Sequence, residues 1–73
     1  MAMITNYLYK AKDLRDGNYH WWLVGEHGVA IFPWDGETKA GMTAKLKELD
    51  NVFLYDITTF QAFAVKPQLI AEW

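Results

Sequence analysis

Residues 3 to 12, MITNYLYKAK, alternate, with Ile4 and Leu8 on one side and Thr5, Tyr7 and Tyr9 on the other. Period-two alternation in β-branched and aromatic residues predicts a strand. DLRDGN at 13–18 follows. Its Asp16–Gly17 step suits a positive φ, so the first two strands are expected to form a hairpin. The next run, YHWWLVGEHGVAIFPW at 19–34, is aromatic or aliphatic on both sides. GEHG at 25–28, bounded by glycines, predicts a second turn that pairs Val24 with Val29. Trp22 then faces Ile31 and His20 faces Pro33 on one side. On the other, Leu23 opposes Ala30, Trp21 opposes Phe32 and Tyr19 opposes Trp34. A slip of one residue exchanges the two sets and makes neither polar. Neither face of this hairpin is patterned for water.

DGETKAG at 35–41 breaks the sheet, after which Met42, Leu46 and Leu49 recur at the spacing of a short amphipathic helix. Asp50–Asn51 is a credible stop, because Asn tolerates the left-handed conformation. VFLYDI at 52–57 predicts a strand. TTFQAFAV at 58–65 fits either a helical face (Phe60, Phe63, Ala64) or a strand; a Thr-rich turn after an aromatic strand favours the strand. Pro67 blocks ladder pairing at its own position, and PQLIAEW suits one helical turn with that proline at its start. The expected order is β-β-β-α-β-β, a single α+β domain over 1–73 with a small antiparallel sheet and one short helix. One helix covers only part of one face. The other face is then expected to curl toward a barrel, meet another subunit or carry a ligand.

Composition narrows the chemistry. The chain has 73 residues, aromatics at 16% with four tryptophans, and a net charge of −2. So small a chain commonly relies on disulfides, a metal or a partner for stability. It has no cysteine, which removes disulfides and thiolate metal sites and fits a reducing compartment. An acidic balance gives no basic face for duplex nucleic acid. No run approaches the roughly 20 apolar residues of a membrane span, and the first residues lack a signal-peptide pattern. The expectation is a soluble, cytoplasmic protein.

No motif for a cofactor, a metal or a phosphate loop is present, and the five glycines are scattered as turn residues. His20 and His27 would lie about 20 Å apart along an extended strand, too far for one two-histidine metal site. Serine and cysteine, the commonest nucleophiles, are absent. Asp56, set among Leu54, Tyr55 and Ile57, would make a general acid if buried; more simply, it caps the turn that follows. An enzyme built on Asp56 or His20 is the third reading. The second is a stacking module for single-stranded nucleic acid or a small ligand, using HWW, Tyr7, Tyr9 and Trp34 beside Lys10, Lys12 and Arg15.

The first reading is a non-enzymatic protein-binding protein. Trp and Tyr dominate interface hot spots, and at least one of Trp21, Trp22 and Trp34 is expected to be exposed. The candidate surface is His20, Trp22 and Ile31 on one face, or Tyr19, Trp21, Phe32 and Trp34 on the other. A homodimer burying one face satisfies the same pattern. By size alone, such a chain compares with phage or mobile-element inhibitors and accessory subunits. Trp73 reads as an anchor that closes the fold.

Overall fold

Consecutive residues of a strand point to opposite faces of its sheet, so Trp21 and Trp22 must start two cores, one on each side. The computed structural model, which describes residues 3–49 and 53–73, has that organisation. Strand β1 (Tyr7–Asp13) pairs antiparallel with β2 (Tyr19–Gly25), and β2 pairs with β3 (Gly28–Pro33). The second hairpin has the expected register, with Val24 opposite Val29, Trp22 opposite Ile31 and Trp21 opposite Phe32. Its ladder stops at His20–Pro33. The expected Tyr19–Trp34 pair does not form; instead the Trp34 ring stacks on Trp21 with centroids 4.1 Å apart. In the first turn Gly17 takes the positive φ expected of it, 73°.

Helix α1 (Lys39–Lys47) starts at Thr38, whose Oγ1 accepts the Gly41 N–H at 3.0 Å, and buries Met42 and Leu46. Those two side chains join Leu8, Trp21, Leu23 and Ala30 in the first core. Leu49, expected on the same stripe, lies beyond the helix and is exposed. The expected stop at Asp50–Asn51 lies outside the described residues.

From residue 53 onward the structure corrects the expected order. Residues 53–57 form no strand: Tyr55 makes one isolated bridge to Val29 at the edge of β3, and Asp56 is the N-cap of a second helix. This helix, α2 (Ile57–Phe63), replaces the strand expected at 58–65. Strand β4 (Ala64–Glu72) then replaces the helical turn expected at Pro67. The physical reason is the second apolar face. As a helix, 57–63 lays Phe60 and Phe63 against Ala11, Trp22 and Val29, and that burial outweighs the strand preference of Ile57 and the threonines. Phe60 packs edge-on to Trp22 at 5.8 Å and tilted against Tyr9 at 4.9 Å.

The observed order is therefore β-β-β-α-α-β, an α+β fold with a four-stranded antiparallel sheet ordered β3-β2-β1-β4. The sheet stays open and does not close into a barrel. From β3 the chain crosses one face as α1, returns to the β3 edge at Tyr55, crosses the other face as α2 and ends beside β1. Each side of the two-sided hairpin buries one tryptophan in a core that its own helix helps to close.

Strand β4 tolerates Pro67 because it lies at the sheet edge and bulges there. Lys12 pairs with Val65 and Lys10 with Gln68, so Lys66 and Pro67 together oppose Ala11. Trp73 anchors the end of β4 beside the residues that precede β1: its carbonyl accepts the Thr5 and Asn6 N–H groups, and its own N–H donates to the Asn6 carbonyl. Among the described residues no helix is long and apolar enough to cross a membrane.

Candidate functional site

Helix α1 covers only the half of its sheet face around Leu8, Leu23 and Ala30. Strand alternation places Lys10 and Lys12 on that same face, beyond the helix, across from Trp21 and Tyr19. Here the surface opens. Tyr19 is 50% exposed and Trp34 38%. Lys10 Nζ lies 4.4 Å from the Trp34 ring centroid and 4.9 Å from that of Tyr19; Lys12 Nζ lies 5.6 Å from Tyr19. Lys10, Lys12 and Tyr19 line one wall of a cleft of about 350 Å³, and Val65, Lys66 and Gln68 of β4 line the other. Among the described residues, none of these three lysines forms an ion pair.

Tyr19 and Trp34 also wall a second open cleft of about 370 Å³, with Asp16, His20 and Pro33. The His20 Nε2–H donates to Asp16 Oδ2 at 2.9 Å. The backbone N–H of Asn18, then the His20 contact, hold the Asp16 carboxyl below the ordinary aspartate range.

Asp13, Asp16 and His20 bring three ligand-type atoms within 4.8 Å of one another. Asp13 is already committed. It is 2% exposed, and its two oxygens accept the Arg15 backbone N–H, Nε–H and Nη2–H at 2.8–3.0 Å. Those bonds, side chain first, hold its carboxyl below the usual range against the opposing effect of burial. The Arg15 guanidinium in turn lies 4.5 Å from the Phe63 ring centroid, and Leu14 N–H donates to the Phe63 carbonyl. The cluster thus locks the first turn to the end of α2.

Of the candidate surface, the structure brings Tyr19, His20 and Trp34 together at one end of the sheet. Trp21 and Trp22 are fully buried, one in each core, and offer no ring to a partner. Ile31 and Phe32 are half-buried against the two cores. The expectation of at least one exposed tryptophan is met by Trp34 alone among these three. Asp56 is exposed, and its backbone carbonyl accepts the Thr59 N–H; it is no buried acid.

Sequence reasoning missed Lys66 and Gln68, because reading 58–65 as a strand and 67–73 as a helical turn hid the β4 register. Asp13, next to Lys12 in the chain, does not offset the lysines, because Arg15 takes up its charge. Comparison of the chain with protein-family models, curated proteins and solved structures gives no match.

Proposed function

We propose that this chain is a small cytoplasmic binding protein without chemistry of its own, which occupies or bridges a protein partner through the uncovered half of its α1-side sheet face. One observation carries the reading: Tyr19 and Trp34 stand partly exposed beside one another at the open end of that face, whereas Trp21 of the same face is fully buried. Tyr19 is held on β2 and the Trp34 ring by its stack on Trp21, so both lose little entropy on binding. An inhibitor or an accessory subunit would use such a surface in the same way.

The sheet edges are poor docking sites by comparison. The β3 edge is capped by the Tyr55 bridge, and β4 carries a proline and a bulge, both devices that discourage strand addition. Self-association through the same face is the weaker form of the proposal. A two-fold axis through the cleft would set Lys10, Lys12 and Lys66 against their own copies.

The test pairs binding with stability. Tyr19→Ala and Trp34→Ala are each expected to weaken association by about 2 kcal/mol, while urea unfolding shifts much less than for a buried tryptophan. Capture from lysate on immobilised wild-type protein and on both variants reads the first quantity. Equal retention of the same species by all three proteins sinks the reading.

A further inference from the structure

We infer that the lysine cleft between β1 and β4 receives an extended, carboxylate-rich segment of the partner protein. This inference rests on the binding-face reading above and supplies the chemistry of its occupant. Its first support is charge: the chain is acidic overall, yet three lysines meet around one cleft with no carboxylate paired to them among the described residues. Unpaired ammonium groups are strongly hydrated point charges, and those that line a concave wall attract anions more than scattered ones do.

Spacing is the second support. Lys10 and Lys12 are two residues apart on one strand face, which sets their backbone origins about 6.6 Å apart. An extended peptide repeats its same-side carboxylates at the same interval. Lys66 contributes from the opposite wall, where Gln68 adds an amide that both donates and accepts.

The third support is backbone strain. Lys66 has φ 47°, the left-handed region that a lysine rarely adopts. Glycine would hold that conformation more easily, but it would leave the wall without its charge. A lysine held in this conformation at the bulge points to a use for its side chain in the cleft.

The same geometry disfavours a nucleic-acid strand. Lys10 lies over the Tyr19 and Trp34 rings, and Trp21 stacks on Trp34, so an incoming base must displace an ammonium group to stack.

The chain is small enough for residue-resolved NMR. ¹⁵N-labelled protein is titrated with a decaglutamate peptide and, separately, with a twelve-nucleotide oligothymidylate. The peptide is expected to shift Lys10, Lys12, Tyr19, Lys66 and Gln68, to leave Lys39, Lys45 and Lys47 unmoved, and to bind more weakly as salt rises. Lys12→Glu with Lys66→Glu, both at exposed positions, should weaken it about tenfold or more. Lys66→Gly should weaken it as well, while relieving the strain and keeping the protein at least as stable to urea.

Shifts spread evenly over all lysines, or none at all, overturn the inference. Tighter binding of oligothymidylate at the same residues overturns it in favour of a phosphate backbone. If lysate capture still depends on Tyr19 and Trp34 in those cases, the binding face stands and only the acidic occupant is lost.

Discussion

Two neighbouring tryptophans, both fully buried, are not equivalent. Trp22 Nε1–H donates to the Ala11 carbonyl at 3.0 Å, at the point where the β1–β4 ladder is interrupted. Trp21 Nε1 has no acceptor among the described residues. Trp22→Phe therefore removes ring volume and also leaves a buried carbonyl unpaired, at a cost of about 2–4 kcal/mol. Trp21→Phe loses volume but also sheds an unpaired donor, and should cost about 1 kcal/mol less. Urea unfolding of the two variants checks the order.

Asp13 adds a pH dependence at this scale. Its carboxyl titrates below its unfolded value because of Arg15. The stability it contributes is thus fully present above about pH 4 and is lost as pH falls through the lower, folded value. Asp13→Asn should be less stable than wild type by about 1–3 kcal/mol at pH 7, with the gap closing in acid. Unfolding midpoints measured from pH 7 down to pH 2 check this, and a constant gap would show that the ionised carboxyl is not what stabilises the turn.

Among the elements, the three N-terminal strands were legible because their signals are local. Asp16–Gly17 and GEHG mark both turns, and the GEHG turn, by pairing Val24 with Val29, sets the β2–β3 register down to Trp22 opposite Ile31. The stretch from Phe53 to Glu72 was not legible, because its structure is decided at a distance. Phe60 and Phe63 become helical to cover Trp22, and 64–72 becomes a strand only because β1 has a free side for it.

The candidate site divides along the same line. Tyr19 and Trp34 were readable from aromatic pattern, whereas Lys66 reaches the cleft only through the β4 register.

The Tyr55 bridge is the contact that holds this distant segment to the β3 edge. Gly28 makes room for it: φ there is 140°, and an added Cβ would collide with the Tyr55 carbonyl oxygen. Gly28→Ala should destabilise the fold by about 2 kcal/mol or more. It should also speed hydrogen exchange at Val29, whose N–H donates to Tyr55 at 2.7 Å. Unchanged protection at Val29 would show that the edge is held by something other than this bridge.

Over the whole molecule, the sheet separates two kinds of work. Its covered regions hold one core on each side, and the open end of the α1 face displays aromatic rings and lysines. The helices are short, at nine and seven residues, and neither would persist away from the strands it covers. The position of Trp73 beside Thr5 and Asn6 has a practical consequence. Thr5, Asn6 and Trp73 meet at one corner of the sheet, about 20 Å of strand away from Lys12. A carrier, a bead or a fluorescent label joined at Trp73 hangs from that corner, away from the cleft.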